Sequence, residues 1–148
     1  MDLTGQQLPS WEVESIINEM TPKVESYLGG HLLILFFSIG CPGCVGRALP
    51  LARQMQEAYS QLQIVGIHTT FEGPKYSLEQ VKGILSLQTI TFPVFIDKES
   101  QTYQLFGAEG TPHWLWVSPE RVVEKSIFGS MGNAQQRLWN TLEESLGK

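Results

Sequence analysis

The sequence predicts an α/β fold with a central mixed β-sheet flanked by helices on both faces. Two patterns carry that expectation. Short apolar runs alternate with stretches of helical period, which implies strands paired in parallel through right-handed crossovers. Further on, two apolar runs joined by Ser118-Pro119-Glu120-Arg121 read as an antiparallel hairpin. The 148 residues, 42% hydrophobic and 17% charged, match one globular domain over residues 1–148 that buries its core without metals or crosslinks. No internal repeat, low-complexity tract or charged linker divides it.

The elements follow in order. Trp11 to Met20 reads two ways: Trp11 and Val13 alternate as on an edge strand, while Val13, Ile16, Ile17 and Met20 fit one helix face. Leu32–Phe37 (LLILFF) is a continuous apolar run, the pattern of a strand buried on both faces. After Ser38-Ile39-Gly40 a helical period begins, with Val45, Ala48/Leu49, Ala52, Met55 and Tyr59 three to four apart. Pro50 should kink this helix without ending it, because the period continues beyond. Leu62–Ile67 is a second apolar strand, and Ser77 with Gln80 forms a capping box ahead of Leu78, Val81, Ile84 and Leu85. Strand Val94–Ile96 precedes a short helix near Thr102–Phe106 that Gly107 ends. The hairpin strands are Trp114–Val117 and Val122–Phe128, and Asn133 caps a last helix carrying Leu138, Leu142 and Leu146.

Charge and termini narrow the function. Ten Lys+Arg against fifteen Asp+Glu give a net charge of −5, which argues against nucleic-acid binding and against strongly acidic partners. The amino terminus shows no basic and apolar leader. The longest apolar run is six residues, against about 20 for a membrane span. The expectation is a cytoplasmic monomer, although a chain trimmed of its export signal or anchor would read the same and be periplasmic or extracytoplasmic. Two cysteines exclude a disulfide-rich scaffold.

Those two cysteines carry the functional reading. Cys41-Pro42-Gly43-Cys44 sits where the first buried strand gives way to a helix. Unpaired amides and the positive dipole end of a first helical turn favour a thiolate. Such placement lowers a thiol pKa from about 8.5 into roughly the 3.5–7.5 range. Pro42 suits the first helical position, where its missing N–H costs nothing. Cys41 is then the exposed attacking thiolate, and Cys44, one turn deeper, the resolving thiol. Two plainer readings are weaker. Zinc would have to recruit His31, His68 or His113 without a second CxxC or an HxxxH spacing. A structural disulfide over so short a loop adds little stability.

The segments LLILFFSIGCPGCVGRALP, IVGIHTTFE, FPVFID and GTPHWLWVSPERVV make the chain, from about Leu8 to Leu146, resemble the thioredoxin superfamily, specifically its redoxin and TlpA/ResA-like branch of thiol–disulfide oxidoreductases. The resemblance implies a thioredoxin-like fold and a cis peptide at Thr111-Pro112 beside the cysteines, although Pro112 could also be an ordinary trans proline opening a strand. It implies that Thr111, Pro112, Pro42 and Gly43 line the substrate site, with the Thr111 backbone pairing to a substrate strand. It also makes Glu72 the candidate for the branch's proton-relaying glutamate, against a reading as a solvated loop residue. His113 follows the proposed cis proline and lines the site or, as imidazolium, steadies the thiolate; His68, Trp114 and Trp116 read as packing.

The chain departs from thioredoxin itself in four places. Gly40 replaces the tryptophan before the first cysteine, the dipeptide is Pro-Gly, the helix proline falls one residue later at Pro50, and Leu35 replaces the buried aspartate. The leading function is therefore thiol–disulfide exchange with protein or small-molecule substrates, supported by a partner that recharges the pair and by no cofactor or metal. A peroxiredoxin-like peroxidase is the first rival: Ser38 matches three residues before Cys41, but Ile34 stands where that family has proline, and no motif places an arginine, with Arg121 left open for that part. A non-catalytic binding module is the second.

Overall fold

The Leu32–Phe37 run forms the middle of the sheet, and all six of its side chains are buried, as a strand covered on both faces requires. The chain's structure is a computed structural model that describes residues 2–11, 13–15, 27, 29–69, 76–97 and 101–147. Its strands are β1 (Val13–Ser15), β2 (Leu32–Phe37), β3 (Gln63–His68), β4 (Val94–Asp97), β5 (His113–Val117) and β6 (Val123–Phe128). A π-helical turn, Cys44–Ala48, runs into α1 (Leu49–Ala58); α2 (Leu78–Leu87), α3 (Gln101–Leu105) and α4 (Gly132–Leu146) follow.

The six strands form one sheet in the order β1-β4-β3-β2-β5-β6. β2, β3 and β4 are parallel, while β1 runs antiparallel to β4, β5 to β2 and β6 to β5. This is the predicted mixed sheet. Alternation along β2 divides the core into two layers. Leu33, Leu35 and Phe37 face Cys44, Leu49, Ala52 and Met55, with Val81 and Leu85 of α2 and Leu138 and Leu142 of α4. Leu32, Ile34 and Phe36 face Leu3, Leu8, Trp11 and Phe106. Each large apolar side chain taken fully out of water contributes on the order of 1.5–3 kcal/mol.

Most boundaries fall within a residue of expectation. The edge-strand reading of the opening segment holds for Val13–Ser15; Ile16, Ile17 and Met20 lie outside the described residues. The capping box forms, with the Gln80 amide on Ser77 Oγ at 3.1 Å and the Ser77 amide on Gln80 Oε1 at 2.8 Å. Two expectations need correcting. Asn133 is not a cap: α4 starts at Gly132, and extended Met131 precedes it without a side-chain cap. The residue pattern of α4 located its buried face but not its first turn. Pro50 does not simply kink one α-helix either. Its missing N–H and its ring conflict with the carbonyl four residues back, and the chain widens into a π turn just before it, with the Leu49 amide reaching Cys44 O.

Gly66, in the middle of β3, is fixed by crowding. A Cβ there would stand 3.1 Å from Phe37, 3.1 Å from Phe92 and 3.2 Å from Val94. Gly66→Val should therefore overpack this layer and lower unfolding free energy by about 1–3 kcal/mol in a denaturant titration. Unchanged stability would show that the layer yields.

Candidate active site

The site begins where β2 ends. Three bonds fix the loop that carries the chain from Phe37 to the first cysteine. The Cys41 amide donates to Ser38 O at 3.0 Å, the Gly40 amide to Ser38 Oγ at 3.2 Å, and the Ile39 amide to His68 Nε2 at 3.1 Å. His68 is buried at the end of β3, against Phe37 and Tyr76. Desolvation pushes its pKa down to about 4, so its Nε2 remains an acceptor at neutral pH. What the sequence read as packing is also an anchor for the cysteine loop. Tyr76 completes the surround: its hydroxyl lies so close over Gly40 that a Cβ there would collide with it. An aromatic side chain from before α2 thus occupies the space that a bulky residue at position 40 would need.

Both cysteines are free thiols here, in unlike surroundings. Cys41 is half-buried, whereas Cys44 is buried among Leu35, Phe37 and Trp114. The Cys44 amide points at Cys41 Sγ, 3.3 Å away, which is the first-turn donor that the strand-to-helix placement predicts. Cys41 Sγ in turn donates to Thr111 O at 3.4 Å. Burial drives the Cys44 thiol up to about 12, and its hydrogen bond with Cys41 adds to the rise. The Ser38 backbone and the Thr111 side chain oppose it by hydrogen bonding to the sulfur. Thr111 thus bears on both sulfurs: its carbonyl accepts from Cys41, and its side chain helps hold the Cys44 pKa down. The sequence pointed to the backbone role alone.

The Thr111-Pro112 peptide is cis. Pro112 O accepts from the Gly129 amide at 2.9 Å, and the Trp114 indole donates to Gly129 O at 2.9 Å, which ties the turn to the end of β6. Behind the cysteines, the π turn and Pro50 together leave Val45 O without a helical donor. Gln88, at the end of α2, supplies one through Nε2 at 3.0 Å. Nothing in the local sequence of either segment marks that pairing.

Other sequence candidates lie elsewhere. His113 does not approach Cys41. It shares its strand face with Leu115 and Val117, the opposite side from Cys44, where Nδ1 accepts from the Glu109 amide at 3.1 Å and Nε2 meets Ser126 Oγ at 2.7 Å. Strand alternation explains this: His113 is next to Trp114, and Trp114 takes the cysteine side. Arg121 sits in the β5–β6 turn, bonded to Leu8 O and Ser10 Oγ, and so does not furnish an arginine at the cysteines. His31 pairs with Glu124 and stacks on Trp116. Glu72 lies outside the described residues. Among the described residues no cluster of three or more His, Cys, Asp or Glu could hold a metal, and no helix is long and apolar enough to cross a membrane.

With this geometry in place, the relatives can be compared. No protein-family model matches the chain. It is similar to the thioredoxin-like protein YneN of Bacillus subtilis, 26% identical over 96 residues, or 64% of this chain and 54% of that protein. The chain thus spans about half the length of that curated relative. Among solved structures it resembles thiol:disulfide interchange protein DsbE from Chlorobium tepidum, with TM-score 0.84 and 19% identity over 99% of this chain and 100% of that one. It also resembles a thiol-disulfide isomerase from Corynebacterium glutamicum, with TM-score 0.77 and 25% identity over 95% of this chain and 97% of that one. The fold is thioredoxin-like, of the kind seen in thiol–disulfide oxidoreductases. A cytoplasmic placement gains no support from these likenesses.

Two expected outcomes follow from the site. At pH 8, iodoacetamide should modify Cys41 alone in the native protein, and Cys44 only after unfolding, as peptide mass spectrometry would show; modification of native Cys44 would contradict its burial. His68 makes stability pH-dependent. The unfolded chain protonates it near 6.5 and the folded chain near 4, so the unfolded state binds more protons in between. Its contribution is complete above about 6.5 and is lost as pH falls towards 4, by up to about 3 kcal/mol. Burial likewise lowers His113, in the same direction. Calorimetric melting from pH 7 to 4 should show a fall that His68→Gln flattens; an equal fall in the variant would remove His68 from this account.

Proposed function

We propose that the chain is a thiol–disulfide oxidoreductase working through the Cys41–Cys44 dithiol/disulfide couple on protein or small-molecule disulfides. The asymmetry of the two sulfurs carries this reading: one is half-buried beside a first-turn amide and the Thr111 carbonyl, the other buried behind it.

In the reducing direction, deprotonated Cys41 attacks one sulfur of the substrate disulfide. A Cys41–substrate bond forms, and the other substrate sulfur leaves as a thiolate that takes up a proton. Cys44 then loses its proton and attacks Cys41 Sγ. The Cys41–Cys44 bond forms, the second substrate thiol leaves, and two electrons have passed from the protein to the substrate. Substrate backbone pairing at Thr111-Pro112, beside Pro42 and Gly43, aligns the disulfide with Cys41. The second step is the demanding one, because burial opposes ionisation of the Cys44 thiol. The Ser38 and Thr111 hydrogen bonds steady the developing charge, and we assign the departing proton to Glu72 on the strength of the TlpA/ResA-like resemblance. A dithiol partner, or a disulfide one for the reverse direction, recharges the pair.

The test uses insulin reduction with single variants. Cys41→Ser should abolish turnover and capture no substrate, while Cys44→Ser should abolish turnover and accumulate covalent substrate on Cys41. Thr111→Val should slow release of the mixed disulfide about tenfold, the loss of one hydrogen bond to a charged sulfur. Glu72→Gln should slow the same step and remove its dependence on a carboxyl titration. Wild-type turnover in either cysteine variant would refute the assignment.

A further inference from the structure

Arg47 leaves the π turn just behind the cysteines and folds back over Gly43. Its Nη2 lies 3.0 Å from the place a Gly43 Cβ would occupy. Any side chain at position 43 would have to displace the guanidinium, so the Pro-Gly order of the CxxC pair leaves room for it. The arm is also held. Arg47 Nε donates to Ser130 Oγ at 3.2 Å, and that hydroxyl donates to Gly43 O at 3.3 Å. Ser130 is itself buried, 2% exposed, and its carbonyl accepts from Gln135 at 2.8 Å.

Among the described residues this cation has no carboxylate partner. Fifteen Asp and Glu are present in the chain, yet the ion pair found among the described residues is His31–Glu124. Arg47 is exposed, with both terminal nitrogens left over after the Ser130 contact. Gly43 is two residues from Cys41, at most about 7 Å along the chain. The guanidinium lies against Gly43 itself, so it is a local charge opposite in sign to the chain's net −5 on this side of the cysteine pair. A guanidinium offers a carboxylate two parallel donors in a fixed fork.

We propose that Arg47 is a specificity-determining residue that binds a carboxylate next to the disulfide Cys41 attacks. The substrate class is anionic disulfides, in which a carboxylate lies within a residue or so of the reacting sulfur, in a small thiol such as glutathione or in a peptide with Glu beside its cysteine. This rests on the dithiol reading above and adds the substrate's charge to it. The net charge of −5 still disfavours a strongly acidic macromolecule; one adjacent carboxylate is a local matter.

The experiment mixes the reduced protein with excess bis(2-hydroxyethyl) disulfide, cystamine, oxidised glutathione, or a matched pair of disulfide-linked peptides with Glu or Lys beside the cysteine. The rate of Cys41 consumption is compared for wild type, Arg47→Gln and Arg47→Lys. The rate ratio of anionic to neutral disulfide should fall about tenfold in Arg47→Gln, the loss of one charge-assisted hydrogen bond, and be largely kept in Arg47→Lys. The wild-type ratio should also shrink with added salt. A preference shared by glutathione and the Glu peptide assigns the site to carboxylates generally; one confined to either assigns it to that source. Equal slowing of every disulfide by Arg47→Gln would overturn the proposal and leave Arg47 a structural brace. If wild type consumes no disulfide at all, the neutral one included, the dithiol reading itself fails and this proposal with it.

Discussion

Desolvation of the Cys44 sulfur is the constraint on which the rest of the site depends. A thiol buried in the apolar layer that holds Leu35, Phe37 and Trp114 resists ionisation, and its pKa rises to about 12. Cys41 sits one turn earlier with a backbone amide aimed at its sulfur. Two chemically identical side chains thereby become unequal. One is partly open to solvent and the other is not, and the CxxC spacing keeps them a single turn apart. Leu35 sharpens the contrast, because it adds hydrocarbon and no charge to that buried layer.

Around this pair the structure invests in rigidity at backbone level. The loop from β2 is pinned by Ser38 and by His68, a neutral imidazole made an acceptor by its own burial. The facing turn is held through Gly129 and the Trp114 indole. Behind the cysteines, Pro50 forces a π turn, and a side chain from the end of α2 satisfies the carbonyl left over. Each device satisfies a backbone group that would otherwise be orphaned in a partly buried place, and each also limits where a sulfur can go.

The sequence made some of this legible and not the rest, for physical reasons. The sheet and its mixed pairing were readable because burial on two faces leaves unbroken apolar runs such as Leu32–Phe37, and helices leave a period of three to four. The unlike exposure of the two cysteines was readable because a strand-to-helix turn leaves the first near the surface and carries the second a turn deeper. The direction of His113 was not, since assigning faces along β5 requires knowing which of two adjacent bulky residues the core accepts. Tyr76, Gln88 and Ser130 were missed because each reaches the cysteine segment from 36 or more positions away, Tyr76 over Gly40, Gln88 to Val45 and Ser130 to Gly43, with no local motif to announce it. The π turn was half-visible: Pro50 signalled trouble in the helix, and only the three-dimensional packing decides whether such trouble becomes a kink or a widened turn.

The unequal environments of the two sulfurs can be read directly by following the β-carbon resonances of carbon-13-labelled cysteines in the reduced protein across a pH titration. The account requires the Cys44 resonance to stay at its thiol position through the range where an ordinary thiol ionises, near 8.5, and to move only as pH approaches about 12. A Cys44 transition at the ordinary value, in protein still folded by its amide spectrum, would contradict the burial on which the whole reading stands.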